Sequence, residues 1–507
     1  MKTFIKSVAI ITVFAVITRL IGFLFRIVLA RILGDEMLGV YQLALSFFTV
    51  FLTIVASGLP LAISKRVATG KVRGVVACGL VISLTVSVIS CAVVMLLGDL
   101  FAPLFTDTRC VAILIALIPS MIAASVYCVT RAVWWGEKRF LLLGLTELME
   151  QIVRVVTFAV MLAFAFLFVD MAQIAALSYT VAFVIAAAVV AVIFVKTRKL
   201  GHTTQDTRCG SHPRGSRPPQ FKPIMKSTLP ITGVRVVTSL TVPIISVLII
   251  KRLVAGGWNT VEAISAFGIL SGMTLPLLCI PQTIIGSLST ALVPELSSAH
   301  AKTQTDQIRR TIGNTMKFTL FINFLLIPVY IGIGAGIGLF VFDNRTSGVF
   351  LMQFAWAMLP MSISSITNAI LNSLGAEARA MKHYFLGAIF MFACIWFLPK
   401  FIGIAAMVVG IGVCMTVAGT LNLLLIKKIA GASVALQTLL QILVFSALCV
   451  VPSIVGYFLY GILITWFGLF FTLAVCAVTI IAMFLTLCRL FNIIDISAIT
   501  VAIKSKN

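Results

Sequence analysis

Apolar runs long enough to cross a bilayer follow one another along almost the whole chain, separated by short polar breaks. A transmembrane helix needs about 20 predominantly apolar residues. Division at the breaks predicts fourteen spans, near 7–30, 38–63, 75–98, 111–133, 141–168, 172–195, 228–250, 263–293, 312–342, 349–373, 384–399, 402–426, 433–460 and 462–488. No soluble core accommodates this pattern. The chain is 61% hydrophobic and 10% charged, with a mean hydropathy of +1.16; soluble domains are about 45–50% apolar and about 25% charged. The sequence therefore predicts an all-α polytopic membrane protein of about fourteen transmembrane helices. Lys2 and Lys6 precede the first run, which continues to about Ala30 without a small-residue cleavage site. A signal-peptide core is only about 7–15 residues long, so an uncleaved first span is expected.

Lysines and arginines test that count. With a cytoplasmic N-terminus, the inner connections carry 28 of the 38 Lys/Arg, and the outer loops carry six (Arg31, Arg109, Lys251, Arg252, Arg345 and Lys400). The other four, Arg19, Arg26, Arg154 and Arg235, fall inside spans. Asymmetry on alternate loops is the positive-inside rule, and one missed helix would scramble it. Both termini are expected in the cytoplasm, and the net charge of +23 reads as a topology signal, not as a nucleic-acid footprint.

The longest connection, KTRKLGHTTQDTRCGSHPRGSRPPQFKPIMKS (Lys196–Ser227), is rich in Gly, Pro, Ser and basic residues. It is expected to be a flexible cytoplasmic linker lying against anionic lipid. Its two sides echo each other: SGLPLAISKRVATG (Ser57–Gly70) parallels STALVPELSSAHAK (Ser289–Lys302), and VWWGEKRF (Val133–Phe140) parallels NSLGAEARAM (Asn372–Met381). The expected organisation is an N-terminal six-helix bundle over 1–195, the linker over 196–227, a second six-helix bundle of the same orientation over 228–428, and an extra helix pair with a cytoplasmic tail over 429–507. Parallel repeats of this kind belong to transporters whose site lies between the halves.

Charges inside spans are the strongest functional signal, because an arginine near the bilayer centre costs about 3 kcal/mol or more. Arg19 and Arg26 are seven residues apart and share nearly one helix face, while Arg31 lies where snorkelling explains it. In the fifth span, ELMEQIVR places Glu150 and Arg154 as an i,i+4 pair with the acid first, the better orientation on a helix. Arg235 lies in LPITGVRVVTSL, at the place in the second bundle that Arg19 holds in the first. Four arginines against Glu150, with Glu147 nearer the interface, leave an excess of positive charge. A positive cavity in low dielectric attracts anions, and guanidinium forks match phosphate oxygens. A phosphate or pyrophosphate headgroup held by Arg19, Arg26 and Arg235 is the expectation.

Prolines supply breaks. Pro276 and Pro281 lie inside the eighth span as hinge candidates, Pro230 and Pro243 bound the seventh, and Pro328 and Pro360 are expected to interrupt the ninth and tenth. YIGIGAGIGLF (Tyr330–Phe340) lacks the strand and the Lys-Ser/Thr ending of a phosphate loop. Its pairs Gly332/Gly336 and Gly334/Gly338 read instead as close helix packing. The eleven cysteines are scattered without a CxxC pair, and His202, His212, His300 and His383 are read as lying in polar connections, so no disulfide framework and no metal site is expected. No nucleophile–base constellation, Walker motif or cofactor signature is present, so a transporter is expected and not an enzyme. Any energy would come from an ion gradient (H+ or Na+, not specified by the residues), the membrane potential or consumption of the substrate.

GFLFRIVLARILGDEMLGVYQLA, GLPLAISKRVA, MEQIVRVV and GMTLPLLCIPQTIIGSLSTALVPELS resemble the stage V sporulation protein B group. That group belongs to the polysaccharide-transport branch of a superfamily that also holds multidrug/toxin extruders and lipid II flippases. The resemblance runs over most of the chain and implies a fourteen-helix, two-lobed, MATE-like fold in a bacterial cytoplasmic membrane. It implies export of undecaprenyl-pyrophosphate-linked sugars, with membrane lipids and cell-wall synthesis enzymes as neighbours. TRLIGF matches the flippases' Ser-Arg-x-x-Gly-Phe pattern, so the resemblance gives Arg19 a headgroup-binding role. Arg26 follows Phe23 by three positions where the flippases' next arginine follows by two, and residues 263–293 contain no Lys or Arg where the flippases carry one. Arg235 is the available substitute. Two rivals remain open at this point: a cation-coupled multidrug extruder, which needs cavity carboxylates that the first and seventh spans lack, and a non-transporting scaffold for wall synthesis.

Overall fold

The computed structural model describes residues 2–68, 74–96, 105, 107–164, 170–205, 221–302, 304–430 and 432–491. Among the described residues all regular structure is helical. In chain order the first helices are α1 (Lys2–Ala56), α2 (Gly58–Ala68), α3 (Val75–Leu96), α4 (Arg109–Leu117), α5 (Ser120–Gly136), α6 (Phe140–Phe164) and α7 (Met171–Gln205). They are followed by α8 (Phe221–Ser239), α9 (Thr241–Ala255), α10 (Thr260–Gly268), a π-helical turn (Ile269–Thr274), α11 (Leu275–Leu278), α12 (Ile280–Ala301) and α13 (Thr305–Phe342). The last are α14 (Arg345–Phe354), α15 (Met358–Ser373), α16 (Glu377–Phe397), α17 (Pro399–Ile402), α18 (Ala405–Ala430), α19 (Ala432–Leu463) and α20 (Leu469–Leu490).

Twelve segments among the described residues are long and apolar enough to cross a membrane. One of them, Val13–Ala68, has 56 residues. As one straight helix it would be about 84 Å long, far more than the bilayer core of about 30 Å. Gly34 divides it: φ 70° and ψ −178° lie in a region only glycine enters readily. Helix α6, 25 residues long, stands outside the twelve because Glu147, Glu150 and Arg154 make it too charged. Two crossings in the first segment and one in α6 bring the total to about fourteen. The faces turned away from the packing are apolar, with Phe164 and Trp466 each 81% exposed. Such surface is stable only against lipid, and the chain is a multi-pass membrane protein.

Contacts divide the chain into two compact units, one of Met1–Val254 with Trp258–Gly268, the other of Ala255–Gly257 with Ile269–Asn507. Packing thus groups α8, most of α9 and α10 with the helices that precede them, whereas the sequence repeat begins its second half at residue 228. In the first unit, Leu59, Ile63 and Val67 of α2 pack with Val129 and Val133 of α5 and with Val75 and Ile82 of α3. The opposite side of α5, through Tyr127 and Trp134, packs on Leu143 of α6 and Phe183, Ala186 and Val190 of α7. Helices enter the expected linker from both ends: α7 continues through Lys196 to Gln205 and α8 begins at Phe221. Its centre, 206–220, lies outside the described residues, as does the tail beyond 491.

In the second unit the glycine pairs of α13 face two partners. A Cβ on Gly332 would come within 3.2 Å of the Ser453 carbonyl of α19, and one on Gly338 within 2.2 Å of the Gly348 nitrogen of α14. Close helix packing is their role. Pro328 does not interrupt α13: the helix continues past it, as membrane helices tolerate, and departs from helical geometry at Ile333 (φ −127°, ψ 15°). Pro360 sits in the first turn of α15, where its missing N–H is harmless. Pro276 and Pro281 likewise open α11 and α12, directly after the π-helical turn and the break at Cys279. Three histidines read as loop residues are helical, His202 among them at the end of α7. His300 lies in α12, and His383 lies in α16 with its Nδ1 2.8 Å from Oδ1 of the fully buried Asn422. No cluster of three metal-ligating side chains occurs among the described residues.

Candidate functional site

The first unit carries a charged seam across α5, α6 and α7. On α6, Leu143, Glu147, Glu150 and Arg154 fall at helical spacing on one face. On α5, Tyr127 and Arg131 are an i,i+4 pair. Arg131 donates from Nη2 to Glu147 Oε2 at 2.9 Å and from Nη1 to the Tyr127 hydroxyl at 3.2 Å. The Tyr127 hydroxyl donates to Glu150 Oε2 at 3.1 Å, and the other oxygen of Glu150 is paired with Arg154. The Arg154 guanidinium lies over the rings of Tyr179, 4.5 Å from the centroid, and Phe183, 5.7 Å away, both on α7. Glu150 is buried, 7% exposed. Burial of an ionised carboxylate requires a partner, and here an arginine and a phenol hold it. The pair inferred from ELMEQIVR is therefore formed.

Both acids of the seam are matched. Arg131 pairs with Glu147 and Arg154 with Glu150, so neither carboxylate offsets the arginines on α1 and α8. Arg19 is exposed on α1, and Arg26, two turns further along, is half-buried. Phe14 and Gly22 of α1 lie against Gly144 and Gln151 of α6, and Phe25 makes an edge contact with Phe158 at 5.3 Å.

Arg235 is exposed on α8 and makes no ion pair with a described carboxylate. Its helix is fixed against α2 by an unusually close approach at Gly58, where a Cβ would fall 2.2 Å from Thr232 Oγ1 and 2.8 Å from the Thr228 carbonyl. That approach brings Arg235 to an open pocket of about 370 Å³ whose walls include Ser57, Pro60 and Ser64 near the start of α2, Arg131 and Trp135 of α5, and Leu143 of α6. Ser57 Oγ and Arg131 Nε are buried without a hydrogen-bond partner among the described residues. The structure therefore joins Arg235 with Arg131; neither Arg19 nor Arg26 lines this pocket. Arg131 is the residue that sequence reasoning missed. It falls at the edge of the fourth span and joins the positive-inside count, although Glu147, an acid inside a span, called for a basic partner.

Elsewhere in the unit, Arg109 ties Asp107 to Glu36 just beyond the Gly34 kink. Its Nε donates to both oxygens of Asp107, at 3.2 and 2.9 Å, and Nη2 donates to Asp107 at 2.7 Å and to Glu36. Burial opposes the Asp107 carboxylate, but the hydrogen bonds and charge of Arg109 outweigh it and hold the carboxyl below the ordinary aspartate value.

The sequence profile described as "Polysaccharide biosynthesis protein" matches residues 4–300. The chain is 26% identical over 451 residues to stage V sporulation protein B of Bacillus subtilis (strain 168), covering 86% of each chain. Among solved structures it is similar to the lipid II flippase MurJ in an inward closed conformation, with TM-score 0.63 at 14% identity over 96% of this chain and 99% of that one. It is equally similar to the inward-facing conformation of a multidrug resistance MATE family transporter of the MOP superfamily, with TM-score 0.63 at 14% identity over 82% and 94% of the two chains. At such identity these likenesses establish the fold, and the fold is that of membrane transporters.

Proposed function

The chain belongs to the polysaccharide biosynthesis protein family, and from that premise we propose that it is a flippase. It moves a lipid-linked sugar precursor, carried on undecaprenyl pyrophosphate, across the bacterial cytoplasmic membrane by alternating access, with both termini in the cytoplasm. The carrying observation is the charge balance of the first unit. Glu147 and Glu150 are matched by Arg131 and Arg154, which leaves Arg19, Arg26 and Arg235 as positive charge inside membrane spans without a carboxylate of that seam to offset them. Positive charge within a membrane span is costly to keep, and a pyrophosphate headgroup with its negative charge is a ligand that suits it.

The MATE-like fold alone also fits an exporter of organic cations, but such a substrate needs an acidic group open to it. The buried carboxylate of the seam, Glu150, is already held by Arg154 and Tyr127. The discriminating experiment is expression in a drug-sensitive bacterium beside complementation of a strain lacking its lipid-linked precursor flippase. Complementation without resistance to organic cations is expected; resistance without complementation contradicts the proposal.

A further inference from the structure

We propose that the pocket bordered by α2, α5, α6 and α8 is a phosphate site, in which Arg131 and Arg235 together hold the oxygens of a diphosphate or phosphate-ester group. The inference deepens the flippase reading and rests on it for the choice of a lipid-borne phosphate. Four observations carry it. Two guanidinium groups, Arg131 and Arg235, line one pocket, and no carboxylate is among its lining residues. Two hydrogen-bond donors at the pocket, Ser57 Oγ and Arg131 Nε, are buried and unmet by any described residue, whereas buried polar groups are almost always satisfied in native proteins. Arg131 is held in place beforehand, by Glu147 at 2.9 Å and Tyr127 at 3.2 Å, so a phosphate meets a fork whose ordering cost is already met. The volume of about 370 Å³ falls within the range of about 300–1,000 Å³ usual for small-molecule sites.

The rest of the wall says more about the ligand. Leu61 and Trp135 are 36% and 54% exposed and line the same pocket as the arginines. A basic end beside an apolar one suits a phosphate attached to a prenyl chain or a sugar ring, which stacks on the indole. Glu147 sets the affinity. Its carboxylate competes with the incoming phosphate for Arg131 Nη2, so the site is tuned to release its ligand and does not trap it.

The test uses the full chain in lipid nanodiscs and reads tryptophan fluorescence during titration with farnesyl diphosphate, inorganic pyrophosphate or uncharged farnesol. Farnesyl diphosphate is expected to quench saturably, and Trp135→Phe to remove most of that quench. Arg235→Ala is expected to weaken binding about tenfold, the loss of one charge-assisted contact. Glu147→Gln, which frees Arg131 from its rival, is expected to tighten it about threefold. That change of opposite sign is one that misfolding does not produce. Pyrophosphate binding as tightly as farnesyl diphosphate assigns the site to free phosphate, and binding only with the prenyl chain assigns it to a lipid headgroup; both uphold a phosphate site. Farnesol binding as well as its diphosphate, or Arg235→Ala and Glu147→Gln both leaving Kd within about twofold, a difference of about 0.4 kcal/mol, overturns it. Vesicles that still flip a polyprenyl-diphosphate sugar after such a result retain the flippase reading without this pocket. Vesicles that flip nothing while Arg235-dependent binding persists retain the pocket without the flippase.

Discussion

Arg154→Ala removes the partner of a buried carboxylate, and its effect follows from the geometry. Glu150 is 7% exposed and keeps a single hydrogen bond, from Tyr127 at 3.1 Å, once the guanidinium is gone. Breaking a buried ion pair by deleting one partner costs about 3–5 kcal/mol. Loss of the cation–π contacts to Tyr179 at 4.5 Å and Phe183 at 5.7 Å adds about 1 kcal/mol. The expected loss, about 4–6 kcal/mol, is a large share of the stability of a marginal fold of about 5–15 kcal/mol. The double variant Glu150→Gln/Arg154→Ala leaves no stranded charge, and its amide oxygen still accepts from Tyr127. It is expected to recover at least about 2 kcal/mol of the loss, since only the ring contacts and a cavity remain. Unfolding by SDS titration in mixed micelles, followed by near-UV circular dichroism, measures both. An Arg154→Ala protein as stable as wild type, or a double variant no better than the single one, refutes the reasoning that α6 is held by this pair.

Four further outcomes are expected. Arg19→Ala leaves membrane levels and unfolding unchanged but abolishes complementation of a flippase-deficient strain, and Arg19→Lys rescues it only in part because an ammonium lacks the fork; full complementation by Arg19→Ala at normal levels contradicts this. Gly58→Ala forces a Cβ to within 2.2 Å of Thr232 Oγ1 and costs about 1–3 kcal/mol by overpacking, with weakened farnesyl diphosphate binding because α8 carries Arg235; a neutral change argues against that helix contact. Asp107, with its carboxyl lowered in the folded state, contributes stability that is fully present above the unfolded value of about 4 and declines as pH falls through the folded one; Asp107→Asn should flatten the stability profile below about pH 4 and leave the wild-type decline unmatched. Cys209, in the most basic connection, reacts with a membrane-impermeant maleimide in inside-out vesicles and not in intact cells, with Cys209→Ser as control; labelling from outside reverses the topology.

Most of the fold was legible because a bilayer enforces simple rules. The hydrophobic period fixed the spans, and the alternation of Lys/Arg predicted one orientation. What hydropathy could not place was governed by contact. The division of the 56-residue segment at Gly34 is no such case, since it falls in the polar break 31–36 between the expected spans 7–30 and 38–63. Composition made 196–227 a linker, whereas α7 and α8 extend into it from both ends. Pro328 looked like a break and is accommodated, the departure coming five residues later at Ile333. At the site, Glu150 and Arg154 were readable because i,i+4 pairing is local. Arg131 was not, since its partner Glu147 is 16 residues away on the next helix, and neither was the unmet hydroxyl of Ser57, which only the docking of α8 on α2 makes meaningful.

The central claim is tested most directly by transport in reconstituted vesicles. Purified protein is placed in liposomes whose outer leaflet carries a fluorescent polyprenyl-pyrophosphate disaccharide, and the fraction shielded from an impermeant quencher is followed with time. A flippase shields a growing fraction of the label, and Arg19→Ala protein of equal folded content shields none. A fully folded wild-type protein that leaves the label on the outer leaflet while taking up ethidium under an imposed ion gradient contradicts the account and makes the chain an exporter of organic cations.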